Sequence, residues 1–161
     1  MKKLLLIRHA KSNWDTPLKD IDRPLDQRGI NDAHLVSLNI SNFIPKTYVM
    51  HCSTAKRTTA TALIFAQNLH YPIESIIYKP ELYTFDESQL EKTIKSTDNS
   101  IESIILFGHN AAITNFVNKF GDVFITNVPT TGFVSLAFEA NNWNDIKDGK
   151  TIKIVTPKDL K

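Results

Sequence analysis

The sequence predicts a single three-layer α/β/α domain, residues 1–161, built on a mostly parallel but mixed sheet. Three observations lead there. Short apolar runs recur along the chain with gaps that leave room for helices, the pattern of alternating strand and helix. The run Ile104-Ile105-Leu106-Phe107 is apolar at successive positions, as in a strand covered on both faces. The last two runs are joined only by a short segment around Asn141-Asn142-Trp143-Asn144, which suits an antiparallel meander.

Taken in order, the apolar stretches at 3–7, 48–52, 76–78, 103–107, 133–138 and 152–155 read as strands. Asp26 is placed to cap a helix running to about Asn39, because a short carboxylate accepts the free N–H groups of a first turn. Residues 54–69 carry Ala, Leu, Ile and Phe at helical spacing. Shorter helices are expected over 89–95 and 111–120, the second stopped by Gly121. No internal repeat, linker or low-complexity tract interrupts this order.

Composition narrows the class. At 161 residues the chain can bury a sizeable core, and 42% hydrophobic with 22% charged residues describes an ordinary globular protein. A formal net charge of +2, with its basic residues scattered, predicts no nucleic-acid partner. The basic start Met1-Lys2-Lys3 leads into an apolar run that ends at Arg8, too short for a signal-peptide core, and no later stretch would span a bilayer. The lone Cys52 excludes an intramolecular disulfide, and a reducing cytoplasm is the expected compartment.

The chemistry-bearing residues sit where strands are expected to end. Arg8 and His9 close the first strand, Ser53 to Arg57 follow the second, and Gly108-His109-Asn110 follow the fourth. Parallel strands bring their carboxyl ends to one edge, where open α/β sheets hold ligands. Two arginines and two histidines would converge there. Guanidinium groups match phosphate oxygens in shape and charge, and helix N-termini favour anions. A neutral imidazole can accept a phosphoryl group and split one displacement into two. His9 could then attack phosphorus while Arg8, Arg57 and His109 neutralise the equatorial oxygens, with no metal or other cofactor required. Glu81 follows the third strand and is the candidate proton donor to a leaving alkoxide. His34, His51 and His70 show no metal-ligand spacing and read as structural or exposed, and Trp14 and Trp143 read as packing groups. His51-Cys52 precedes Arg57 by one residue fewer than a cysteine-phosphatase loop needs, so Cys52 reads as a small residue at a strand end.

Arg8-His9-Ala10-Lys11-Ser12 resembles the Arg-His-Gly/Ala signature of the histidine phosphatase superfamily, which includes the phosphoglycerate mutases. Arg23-Pro24-Leu25 with Arg28-Gly29 is similar to its second segment. Ser53-Thr54-Ala55-Lys56-Arg57 followed by Thr59-Ala60 is similar to its Ser-x-Ala-x-Arg region, and Gly108-His109-Asn110 to its second histidine motif. The Pro129-Thr130-Thr131-Gly132 turn resembles a late segment of SixA-type phosphohistidine phosphatases. The resemblance implies a phosphoglycerate mutase-like fold, His9 as nucleophile, and Arg8, Arg57 and His109 around the phosphate. It also implies a phosphate-donating backbone N–H at Asn110. The chain departs from the mutase-like Ser-x-Trp-Asn pattern at Asp15: an ionised carboxylate only accepts, so phosphate binding is not carried over to that position.

Only twenty residues separate Pro80 from Ile101, helix included, which leaves little room for the large insertions that cover the site in mutases and bisphosphatases. An open cleft suits a phosphorylated protein side chain, such as that of a phosphohistidine phosphotransfer domain. The expected function is therefore a metal-independent phosphatase acting on phosphohistidine or another phosphorylated side chain, without nucleic-acid or membrane partners. A small-molecule phosphomonoesterase would use the same residues, and a noncatalytic phosphate-binding module is the third reading.

Overall fold

In a computed structural model that describes residues 1–161, six strands form one mixed sheet with two helices on each face. The strands are β1 (Lys2–Arg8), β2 (Val49–Cys52), β3 (Ile77–Tyr78), β4 (Ser103–Gly108), β5 (Phe133–Phe138) and β6 (Lys150–Val155). The helices are α1 (Gln27–Asn39), α2 (Lys56–Asn68), α3 (Glu87–Lys95) and α4 (Ala112–Phe120). Across the sheet the order is β3-β2-β4-β1-β5-β6. β1 pairs parallel with β4 and antiparallel with β5, β2 is parallel to both β3 and β4, and β5 and β6 form the antiparallel meander.

Alternation along β1 explains why its run is apolar throughout. Leu4 and Leu6 enter one core with Leu90 and Ile94 of α3 and with Ile113, Phe116 and Val117 of α4. Leu5 and Ile7 enter the other with Val36 of α1 and Ala62 and Phe65 of α2. A central strand buried on both faces has no polar face to show. No helix is long and apolar enough to cross a membrane.

Helix starts follow their caps. The Asp26 side chain accepts from the Gly29 N–H at 2.7 Å, as its position predicts. α3 begins two residues before the expected Gln89, because Asp86 supplies the cap and accepts from the Gln89 N–H. α2 begins at Lys56 rather than 54: Ser53 to Ala55 form the connection out of β2, and Ser53 Oγ accepts from the Ala55 N–H. α4 does stop at Gly121, but not through a left-handed residue. Its φ is −87°, and a Cβ there would lie 2.5 Å from Thr151 Oγ1 and 2.7 Å from the Val117 carbonyl. Close approach of β6, not backbone conformation, demands that glycine.

Trp143 is fully buried and donates from Nε1 to the Ile101 carbonyl at 2.7 Å. Trp14 is not a packing residue. It is 64% exposed, with the Arg23 guanidinium 3.8 Å from its ring centre. His51 is buried in β2, His34 is exposed and bonded to Asn68, and His70 takes a positive φ just beyond α2.

Candidate active site

The carboxyl ends of the three central parallel strands are tied together by backbone bonds. His9 N–H donates to the Gly108 carbonyl at 3.0 Å, and Ser53 N–H to the Phe107 carbonyl at 3.1 Å. From the turn before β5, the Gly132 carbonyl accepts from Arg8 N–H at 3.1 Å, and Thr131 N–H bonds the carbonyls of Arg8 and His9. α2 joins the same edge, since Thr61 Oγ1 accepts from the Ala10 N–H at 2.9 Å while donating to the Arg57 carbonyl at 2.7 Å. The result is a cleft of about 350 Å³ whose lining includes Arg8, His9, Lys11, Ser12, Arg57, Asn110 and Thr130.

His9 is 8% exposed, and its Nδ1 lies 2.7 Å from the Ala10 carbonyl. A carbonyl can only accept, so Nδ1 carries the proton and Nε2 keeps its lone pair. Burial lowers the His9 pKa to about 4; Arg57 and Arg8 push the same way, against the Ala10 bond. The ring is neutral at pH 7, the form a nucleophile needs.

His109 lies 5.3 Å from His9, ring centre to ring centre. Arg57 donates to its Nδ1 at 3.3 Å, which places the His109 proton on Nε2, where it faces Ser53 Oγ at 2.8 Å. Burial, with the positive charge of Arg57 behind it, lowers the His109 pKa to about 3. Both ring nitrogens are thus bonded within the protein, and His109 buttresses Arg57.

Arg57 is 4% exposed and held at both prongs of its fork by Asp20, through the backbone carbonyl at 2.6 Å and Oδ2 at 3.0 Å. Tyr83 donates its hydroxyl to the same Oδ2 at 2.5 Å. Burial pushes the Asp20 carboxyl up, but the bonds from Tyr83 and Arg57 outweigh it and hold the group below its ordinary value. Arg8 donates to the Val128 carbonyl at 3.0 Å, while its buried Nε finds no protein partner, nor does the buried Thr131 Oγ1. Asn110 fixes its side chain to Asn127, Val128 and Thr114, and its backbone N–H is not spent on another backbone group. Buried cationic groups with donors to spare suit an oxyanion.

Arg8, His9, Arg57 and Asn110 line one cleft, and His109 lies behind Arg57 rather than in the lining. Glu81 is not among them. The Pro80–Leu82 turn leaves it exposed and outside the cleft lining, and the same segment sends Tyr83 and Phe85 to the site instead. Asp15 is exposed and also outside the lining. Cys52 is fully buried, and burial pushes its thiol far up, so no thiolate is available there. Asp20 is the residue that sequence reasoning missed. It lies in a loop with no periodicity to mark it, and its one signal is an acid close before Arg23-Pro24-Leu25.

An uncharacterised protein of Mycobacterium tuberculosis is 26% identical over 154 residues, covering 89% of this chain and 93% of its own. Among solved structures, the protein histidine phosphatase SixA complexed with tungstate superposes with a TM-score of 0.83 at 18% identity, over 99% of both chains. A candidate phosphohistidine phosphatase SixA from Agrobacterium tumefaciens gives 0.79 at 21% identity, over 97% of this chain and 99% of its own. At those identities the likeness establishes the fold, which is that of the phosphoglycerate mutase-like proteins. The sequence model of the histidine phosphatase superfamily (branch 1) matches residues 4–94, more than half of the chain and the part that carries Arg8, His9 and Arg57: the chain belongs to that superfamily.

Proposed function

We propose that the protein is a metal-independent phosphatase that takes phosphate from phosphohistidine, or from another phosphorylated protein side chain, through a phosphohistidine intermediate on His9. The observation that carries this reading is the neutral His9 ring, its proton held on Nδ1 by the Ala10 carbonyl and its Nε2 free beside two arginines. In the first step Nε2 bonds to phosphorus as the bond to the leaving group breaks, with Arg8 and Arg57 balancing charge on the equatorial oxygens. Water then attacks the phosphohistidine, releasing inorganic phosphate and restoring the imidazole.

The preference for a P–N bond rests on the acids at hand. Glu81 is outside the cleft, and Asp20, the carboxylate beside Arg57, is held below its ordinary pKa and is a poor proton donor at pH 7. An alkoxide would need such a donor; a departing imidazole needs less help. The segment between β3 and β4 forms one turn and α3, whose Leu90 and Ile94 bury against α4, so no insertion covers the cleft. A fold neighbour named as a protein histidine phosphatase is complexed with tungstate, a tetrahedral oxyanion, which accords with a phosphoryl ligand.

The test is phosphate release from phosphoramidate in the presence of EDTA, comparing the wild type with His9→Ala. Activity lost in the variant supports the reading. Equal rates in both would remove His9 as nucleophile, and rapid turnover of phosphoglycerate with slow turnover of P–N substrates would move the assignment to small phosphomonoesters.

A further inference from the structure

Two aromatic side chains stand at the cleft where water is the alternative neighbour. Trp14 is 64% exposed and Phe85 52% exposed, yet both line the same cleft as His9 and Arg57. Exposed aromatic surface costs free energy unless something covers it, and a pair flanking a polar pocket is not scattered surface.

Each ring is also braced. Asn13 N–H donates to the Pro24 carbonyl at 2.8 Å, and Ser12 bridges to Leu25, which sets the segments carrying Trp14 and Arg23 side by side. The Arg23 guanidinium lies 3.8 Å from the Trp14 ring centre, and its buried Nε and one terminal nitrogen have no hydrogen-bond partner. The indole face is the group that compensates that cation. Phe85 meets His109 edge-on at 5.6 Å and Tyr83 at 5.7 Å. Bracing lowers the entropy lost when a ligand packs on an aromatic side chain.

In-line displacement fixes where such a ligand would lie. The leaving group departs opposite the attacking nitrogen. His9 and Arg57 are buried and Arg8 half-buried, so the leaving group points away from His9 to the mouth, where Trp14 and Phe85 are exposed.

We propose that Trp14 and Phe85 form a leaving-group subsite that favours flat, aromatic leaving groups, the imidazole of phosphohistidine among them, over small or alkyl ones. The inference rests on the phosphatase reading above and adds to it the residues that set specificity. Arg23 acts through Trp14 as a positioning residue.

The experiment compares kcat/KM for free phosphohistidine and for phosphoramidate, whose ammonia leaving group has no ring, in the wild type, Trp14→Ala, Phe85→Ala and Trp14→Phe. The ratio of the two values should fall roughly threefold to tenfold for each alanine variant, the range for losing one aromatic contact, and recover in Trp14→Phe. A ratio that stays at the wild-type value while both substrates slow together would overturn the subsite, because the rings would then only support the fold. Loss confined to a phosphohistidine protein, with free phosphohistidine unaffected, would overturn it in favour of a docking role for the rim. Failure of the wild type to hydrolyse either P–N compound would instead remove the P–N substrate reading on which the subsite rests.

Discussion

Asp20 gives Arg57 an anion of its own. An incoming phosphoryl group must share the guanidinium with that carboxylate, so the geometry of Arg57 is fixed before substrate arrives. Pre-setting a planar fork suits Arg57 and would not suit a lysine, a point charge on a flexible stem. Arg57→Lys should therefore lower kcat/KM on phosphoramidate by about a hundredfold or more, comparable with the loss of a transition-state donor. Glu81→Gln should stay within about twofold, since surface carboxylates away from a site contribute little. A large loss for Glu81→Gln would return the acid role to that residue. The contrast marks what was readable at this scale. Arg8, His9, Arg57 and His109 lie at strand ends or just beyond, and the parallel topology alone carries them to one edge. Asp20, Tyr83 and the exposure of Trp14 depend on how loops fold back across dozens of residues, and no local pattern encodes that path.

Among the elements, α1 bears on the site through its packing alone. A Cβ on Gly29 would lie 2.2 Å from the Lys11 carbonyl oxygen and 2.9 Å from the Lys11 nitrogen, and Asp26 N–H donates to that same carbonyl at 3.0 Å. The first turn of α1 thus presses on the backbone two residues after His9. Gly29→Ala cannot be relieved by a side-chain rotation, because the obstructing atoms are main chain. It should cost about 1–3 kcal/mol, the range for overpacking. It should also weaken inorganic phosphate binding, since Lys11 and Ser12 line the cleft. Denaturant unfolding and calorimetric titration would check the two effects, and an unchanged midpoint would show that the helix can slide away. The helix itself was legible from the Asp26 cap. The contact was not, because a glycine in a helix looks the same whether it faces solvent or another backbone.

Across the whole molecule, three buried imidazoles set the acid response. Burial lowers His9 and His51 to about 4 and His109 to about 3, from an ordinary value of 6.5. The folded state refuses protons that the unfolded chain takes up below pH 6.5. Stability contributed by the neutral rings is present above that value and is lost as pH falls from 6.5 towards 4. Thermal unfolding should show Tm dropping by several degrees between pH 7 and pH 4.5, and a smaller drop in His51→Asn, which leaves the cleft untouched. A flat Tm over that window would mean the rings are protonated without cost in the folded protein.

β1 sits near the middle of the sheet, flanked by the fourth and fifth strands in chain order, and it ends in the residues proposed to carry the reaction. The groups that meet there come from residues 8–14 and from positions 20, 57, 85, 110 and 130, so no contiguous stretch of chain holds the whole site. Such a centre exists only once pairings of long sequence separation have closed, the late and slow events of folding. Phosphate turnover would then appear last during refolding and vanish first with any loss of the central strands, which makes catalysis a more demanding gauge of a correctly assembled chain than its helix content.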